Sequence, residues 1–438
     1  MPFVVSPVLP SEPSHQRLLR GHLRGIPFNW TPEWVSGPVL LTPAAHEEVS
    51  SVAVRTVRIL EKSFLSLGSS FSERARRLGI DWDAYREANP YFLSEDLELE
   101  WSAAIARPDL AFSGTGLKVL EANIGSALGG VAQCDLLRSF WEERAELVFS
   151  VDQPKIIDGI AHFIREFSRA TGVAPRMAIL GLPEYYDPAM RGSYGFEASV
   201  LRSHGIDAVA VNPDHLAEHL DAKSGSPWPI ALRRNRPDRW NESKLGSGPL
   251  QRLVKRGCHV LCPQSSFLMA DKRLLAIVSA GFVPLDEDEQ GFVDRYLPWT
   301  RLIRPGPVEY EGDVRAMEQL LLLRQRAFVL KRGSSRGGIE VIVGREQTPS
   351  GWQSSVRAAL YSGDWVAQEF QEVIPAALPV ANEMGSAGSR EFTVVLSPFV
   401  ILGRAHGCGA RSLETHRGAV VSTTAGAVVN IALPSTKT

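Results

Sequence analysis

Between residues 47 and 67 apolar side chains return every three or four positions, and Val52, Val57, Leu60, Phe64 and Leu67 fall on one face among charged neighbours. That spacing predicts an amphipathic helix. A second such face, formed by Ile156, Ile160, Phe163, Ile164 and Phe167, predicts a helix over 154–170. Between the two lies LKVLEA (117–122), a short run that predicts a strand ending in a glycine-rich turn. From Thr171 the pattern changes. RMAILGLPE predicts a strand, GFEASVLRSHG a helix stopped by Gly205, and IDAVAVNP a second strand. WPIALRRNRP, CHVLCPQ and GFVPLD add further short strands. Strands alternating with helices predict an open, Rossmann-like α/β layer of about 100 residues. Beyond it, FVLKRG and EVIVGRE flank a glycine-rich loop, WVAQEFQE follows, and the tail is rich in β-branched residues. This texture predicts an antiparallel α+β unit. PAALPVANEMGSAGS (375–389) carries turn residues and reads as a loop. The expected division is 1–170, 171–268 and 269–438.

Composition narrows the partners. With 438 residues, 44% hydrophobic and 22% charged, the chain is ordinary for a globular protein of two or three sub-domains. A net charge of -2 without a dense basic run gives no footprint of nucleic-acid binding, so small molecules are the expected partners. No apolar stretch reaches the roughly 18 residues of a membrane span. Cys134, Cys258, Cys262 and Cys408 show no metal-ligand spacing and no disulfide framework, and a cytoplasmic location is expected.

Three segments carry chemistry. In FVLKRGSSRGGIEVIVG (328–344), Lys331 ends a strand and enters a loop holding Gly333, Ser334, Ser335, Gly337 and Gly338. Glycines let backbone N–H groups approach phosphate oxygens, and a lysine supplies a point charge. The same pattern suits a hairpin with a long turn. In WVAQEFQE (365–372), an apolar strand runs into Gln368, Glu369 and Phe370; it reads either as the wall of an adenine slot or as an edge strand. In RPDLAFSGTGLKVLEANIGSALGG (107–130), SGTG makes a hairpin turn. Asp109 then lies on one strand, with Glu121 and Asn123 on the same side of its return. Converging carboxylate and amide oxygens are hard ligands suited to magnesium beside phosphates. Arg233, Arg234 and Arg236, at a strand end, are candidates for binding a substrate carboxylate. His406 and Cys408 lie two apart in one strand and read as pocket lining rather than a nucleophile pair.

Strand, lysine, glycine-rich loop, strand, and then an apolar strand ending in QEF resemble the nucleotide-binding half of the ATP-grasp superfamily. Asp109, Glu121 and Asn123 resemble that family's metal set, here placed some 200 residues before the lysine loop rather than after it. This order is similar to circularly permuted members, relatives of glutathionylspermidine synthase and peptide ligases of natural-product pathways. FLMADKRLLAIVSAGFVPL (267–285) resembles the family's Asp-Lys helix, with Lys272 as a phosphate-side lysine, and GFVDRYLPWTRLI (291–303) its Pro-Trp-Thr segment. The resemblance implies an ATP-grasp fold of permuted order that uses ATP and Mg²⁺. It implies ligation of a carboxylate to an amine through an acyl phosphate, on amino acids or peptides in specialised metabolism. Arg390 and Arg411 would steady the acyl phosphate. A phosphotransferase on the same scaffold, or a nucleotide-binding protein without turnover, are the alternatives.

Overall fold

The computed structural model describes residues 1–4, 34–35, 37–89, 91–143, 153–181, 193–212, 215–216, 228–234, 248–335, 338–382 and 385–436. The largest sheet draws on both ends of the chain. Its strands are β1 (Phe3–Val4), β2 (Trp34–Val35), β3 (Val39–Leu41), β4 (Ile105–Ser113) and β5 (Gly116–Ile124) from the N-terminal part. The parallel layer in the middle of the chain consists of β6 (Arg176–Leu180), β7 (Asp207–Val211), β8 (Ile230–Arg233) and β9 (His259–Leu261), in the order β7-β6-β8-β9. A smaller antiparallel sheet follows, built from β10 (Thr300–Leu302), β13 (Phe328–Arg332), β14 (Val341–Val343) and β15 (Trp365–Glu369); the separate hairpin β11 (Pro307–Tyr310) and β12 (Asp313–Ala316) lies within this stretch. The large sheet is completed by β16 (Ala376–Asn382), β17 (Gly385–Ile401), β18 (Arg404–Glu414) and β19 (Val428–Pro434).

β17 organises the large sheet. One edge pairs with β18 along most of its length, while the other pairs first with β16 and then with β4, through Leu396↔Leu110, Val400↔Ala106 and Ile401↔Ile105. The hairpin of β4 and β5 is thereby laced into a C-terminal sheet nearly 300 positions away (396 − 110 = 286). Ladder hydrogen bonds of this kind cannot be read from local pattern, because each strand is satisfied only by a distant partner.

Helix Pro43–Ser66 covers one face of this sheet. Thr42 caps it, with the side-chain oxygen accepting from the Ala45 amide, and Pro43 sits in the first turn, where its missing N–H is harmless. Val52, Val57, Leu60 and Phe64 all face inward, in one core with Leu110, Val119, Val394 and Leu396. Helix Ile156–Thr171 lays its predicted apolar face, entirely buried, between the parallel layer and the end of β17. The parallel strands are covered by apolar clusters, as a parallel sheet requires, and read as near-continuous apolar runs.

Two expectations fail. Within 375–389, residues 376–382 and 385–389 are not a loop: they form β16 and the start of β17, paired from Ala376↔Phe392 to Asn382↔Gly385 with one irregularity after Val380, while 383–384 lie outside the described residues. Small residues, Pro379 and glycines are tolerated there because sheet pairing, not side-chain bulk, holds the strand. GFVPLD (281–286) forms no strand; it leads to Asp286, which caps helix Glu287–Tyr296 in a reciprocal capping box with Glu289. The parallel layer, by contrast, falls within the expected 171–268 segment. Among the described residues no helix is long and apolar enough to cross a membrane.

Candidate active site

The β4–β5 register sets Asp109 directly opposite Glu121 and Arg107 opposite Asn123, with an irregularity just after Asp109. Directly opposed residues in an antiparallel pair share a face. Asn123 donates from its amide nitrogen to Asp109 at 3.2 Å and to Glu121 at 3.1 Å. Asp109 is buried, and each of its oxygens is engaged. Oδ1 accepts from the Ser397 hydroxyl at 2.7 Å, and Oδ2 lies 2.6 Å from Arg411 Nη2. Arg107 Nε stands 3.6 Å from Oδ1. Glu121 keeps 22% of its side chain exposed.

Lysines arrive from the other lobe. Lys331, at the end of β13, donates to the Leu120 carbonyl at 3.0 Å and to the Gln368 side-chain oxygen at 2.6 Å. Lys272 Nζ lies 3.6 Å from Glu121 Oε2 and also donates to the Ser335 carbonyl. Asp271 caps the helix that Lys272 opens and grips Arg273 with both oxygens. Gly333 rests on this cap. A Cβ there would stand 2.7 Å from both Asp271 Oδ1 and Arg273 Nε, so only glycine fits. The Lys272 amide donates to the Gly333 carbonyl at 3.0 Å, which fastens the base of the glycine-rich loop to the lysine helix.

These charges perturb one another. Burial acts to raise the Glu121 carboxyl, but Lys272, Lys331 and Arg411, with the Asn123 amide, outweigh it and hold the group far below the usual carboxylate range. Burial presses the Lys331 ammonium down to about 8 despite the pull of Glu121, with Lys272 pushing the same way. Arg411 is desolvated too, yet Asp109 and Glu121 raise it on balance. Among the described residues, Arg107, Lys272, Lys331 and Arg411 gather around Asp109 and Glu121 at this end of the cleft. Such a cationic cluster suits an anionic ligand.

Beside this cluster is a cleft with about 790 Å³ of empty space, part of it open to solvent. Val329, Val341 and Val343 wall it on the small sheet, Leu120 and Val395 on the large one, and Val421 closes a third side. Glu121, Lys331, Gln368, Glu369, Phe370, Gly338 and Arg411 all line it. Gln368 is fixed by Thr300 at 3.1 Å, and Glu369 accepts from the Tyr310 hydroxyl at 3.1 Å. The Arg345 guanidinium covers the Phe370 ring, 3.7 Å from its centroid. An apolar slot with a cationic end suits a ligand that has a flat apolar part and an anionic tail.

A magnesium ion fits this arrangement in part. Among the described residues no three His, Cys, Asp or Glu side chains gather closely enough to hold a metal alone. Magnesium commonly takes one or two protein oxygens and completes its shell with water and phosphates. Glu121, open to the cleft, and Asn123 beside it suit that role once phosphates are present. The assignment for Asn123 requires its amide oxygen to turn inward, an orientation that side-chain rotation permits.

Other predicted residues lie elsewhere. Arg233 is fully buried between the rings of Tyr91 and Phe267, at 5.3 Å and 4.5 Å. Arg234 is buried in a two-pronged pair with Glu197 and donates to the Ser126 carbonyl at 2.8 Å. Neither guanidinium is among the residues lining this cleft, and the described contacts of both are anchoring ones. Ser126 completes the anchor: its hydroxyl meets the Arg233 and Leu261 carbonyls at 2.5 Å and 3.0 Å and accepts from the Cys262 amide at 2.8 Å. The glycine-rich turn after the β4–β5 hairpin is thus tied to the carboxyl ends of β8 and β9. Breaking a buried pair leaves an uncompensated charge, so Glu197→Ala is expected to lower stability by about 3–5 kcal/mol. Denaturant unfolding checks this, and a loss under about 0.5 kcal/mol, typical of a surface site, would rule out the anchor.

Arg236 and Gly337 lie outside the described residues. Arg390 pairs with Glu414 at 3.0 Å, away from the cleft lining, whereas Arg411 is in it. Ser334 is exposed on the glycine-rich loop; Ser335 is buried and contributes its carbonyl to Lys272. Burial pushes the Cys408 thiol up to about 12 and lowers the His406 imidazole, which disfavours a thiolate–imidazolium pair. The sequence reading missed Arg107, which lies two residues from Asp109 on the same face and donates to the Gly129 carbonyl at 2.7 Å. Strand alternation could have found it. It also missed Ser397 and the wall 419–422, which no local pattern marks.

No family model matches the chain, and no curated protein matches it in sequence. In fold it is similar to a glutathione synthetase-like effector from Globodera pallida, solved in apo form, with TM-score 0.57 at 12% identity over 98% of this chain and 100% of that one. A candidate gamma-glutamylcysteine synthetase from Methylobacillus flagellatus aligns more loosely, with TM-score 0.41 at 11% identity over 84% of each chain. The first likeness runs end to end, so this is a mixed α/β protein with a glutathione synthetase-like fold.

Proposed function

We propose that this protein is an ATP- and Mg²⁺-dependent carboxylate–amine ligase that forms an amide or peptide bond through an acyl phosphate. One observation carries the reading: Glu121 and Lys331, 210 positions apart in the chain (331 − 121), line one cleft whose apolar slot ends in a cationic cluster. Lys272 and Lys331 would hold the phosphates, with Gly333, Ser334, Ser335, Gly337 and Gly338 as the covering loop. Val329, Val341, Val343 and Phe370 would wall the base, with Gln368 and Glu369 at its polar edge. Glu121 and Asn123 would hold magnesium, which supplies charge neutralisation at the phosphates when bound.

The chain's own residues then act by placement. Arg411, held by Asp109, puts a fixed guanidinium where charge builds during phosphoryl transfer to the substrate carboxylate. Such cations work best when preorganised and partly desolvated, and Arg411 is only 17% exposed. An amine then displaces phosphate from the acyl carbon, a step that needs no protein nucleophile. The substrates proposed are amino acids or short peptides.

The test is a panel of amino acids and dipeptides assayed for ADP with and without an amine. A ligase releases equal ADP and phosphate only when acid and amine are both present, and hydroxylamine in place of the amine yields a hydroxamate. ADP formation independent of any amine, with a stable phosphorylated product, would assign a phosphotransferase instead.

A further inference from the structure

The hairpin pattern marked Asp109 as a magnesium ligand, but the geometry points to a different role: Asp109 is a positioning residue that aims Arg411 into the cleft. The inference rests on the nucleotide-and-metal reading of this cleft and changes what one of its acids does. Asp109 lies on β4, Ser397 on β17 and Arg411 on β18, three strands adjacent in one sheet. Its carboxylate bridges them. One oxygen takes the Ser397 hydroxyl at 2.7 Å, and the other takes Arg411 at 2.6 Å and Asn123 at 3.2 Å. Its side chain is only 3% exposed, against 22% for Glu121.

A magnesium ion demands oxygens at about 2.0–2.1 Å in near-octahedral array. To reach Asp109 it would have to displace Arg411 and sit beside Arg107, whose Nε is 3.6 Å from the same carboxylate. Guanidiniums stay charged at all accessible pH, so neither can give way by losing a proton. Glu121 faces lysines instead, and phosphates arriving in the cleft draw those lysines toward themselves. That frees Glu121 for metal, while Asp109 stays bonded to Ser397 with the Arg107 guanidinium beside it. A bridging carboxylate with a serine behind it is instead suited to fix the plane of a guanidinium.

The test separates metal binding from turnover. Mn²⁺ is titrated by electron paramagnetic resonance into wild type, Asp109→Asn and Glu121→Gln with a non-hydrolysable ATP analogue. Glu121→Gln is expected to raise the Mn²⁺ dissociation constant about tenfold or more by removing a charged ligand oxygen, while Asp109→Asn raises it clearly less, and only through its contact with Asn123. At saturating Mg²⁺, Asp109→Asn and Arg411→Lys should each lower kcat by about 10–100-fold, and the double variant should be no worse than the poorer single one. A rise in the Mn²⁺ dissociation constant for Asp109→Asn as large as that for Glu121→Gln, or fully multiplicative losses in kcat, would overturn the assignment. If Asp109→Asn does not fold, Ser397→Ala removes one support without removing charge. It should lower kcat several-fold at unchanged Mn²⁺ affinity, and weakened Mn²⁺ binding there would also overturn the assignment. Absence of Mn²⁺–nucleotide binding in wild type would instead remove the underlying reading, and this assignment with it.

Discussion

Glu121→Gln is expected to lower ADP formation about 10³-fold or more while the fold persists. The glutamine keeps the shape and can still meet Asn123, but it takes away the charged oxygen that faces the cleft. Its effect on nucleotide binding separates this role from a structural one. Without metal, the Glu121 carboxylate repels a triphosphate and competes for Lys272, Lys331 and Arg411. Removing that charge should leave metal-free ATP affinity equal or stronger, while the gain normally conferred by Mg²⁺ disappears. Calorimetry with and without Mg²⁺ reads both. Near-wild-type ADP production, or a Mg²⁺ enhancement that survives the substitution, would contradict the role.

Lys331→Ala is expected to weaken ATP binding by about 10–100-fold, as loss of a charge-assisted contact to phosphate should. The wild-type lysine also predicts a pH dependence. Burial places its pKa at about 8 in the free protein, below the ordinary lysine value of 10.5. ATP affinity should therefore fall as pH rises through about 8, and binding near that pH should take up a proton. Stability moves the opposite way. Between about 8 and 10.5 the unfolded chain holds a proton on this lysine that the folded chain has released, so the group's penalty on folding is relieved as pH rises. Lys331→Arg keeps the cation at all these pH values and should flatten the affinity profile. Calorimetry in two buffers of different ionisation enthalpy measures the proton uptake; no uptake and a flat wild-type profile would separate Lys331 from the phosphates.

Much of the site was legible because its chemistry is local. The SGTG turn and period-two alternation were enough to place Asp109 and Glu121 on the two strands of one hairpin, but their direct opposition comes from the register shift just after Asp109, which no local pattern marks. The strands around the lysine loop followed from apolar runs with glycine between them. Where reading stopped, the partners were remote. The hairpin by itself shows only the acid and amide that share it with Asp109; its partners Ser397 and Arg411 are about 300 positions away and reach it only through the ladder of β4, β17 and β18. The burial of the Arg233 guanidinium between rings and of Arg234 against Glu197 has no local signature in the sequence. The strand β16 was hidden by proline and small residues, whose turn propensity yields to pairing with β17. Long-range pairing made the cleft a single object out of two distant segments, and pairing is the information a one-dimensional pattern carries least.

The central claim is that this cleft passes a phosphoryl group to a substrate carboxylate. Oxygen tracing tests it most directly. With amino acids or dipeptides labelled by ¹⁸O in the carboxylate, turnover with MgATP and an amine should place one ¹⁸O atom in the released inorganic phosphate, because attack on the acyl phosphate leaves the carboxylate oxygen with phosphorus. Inorganic phosphate carrying no label from the substrate that supports turnover would contradict the account.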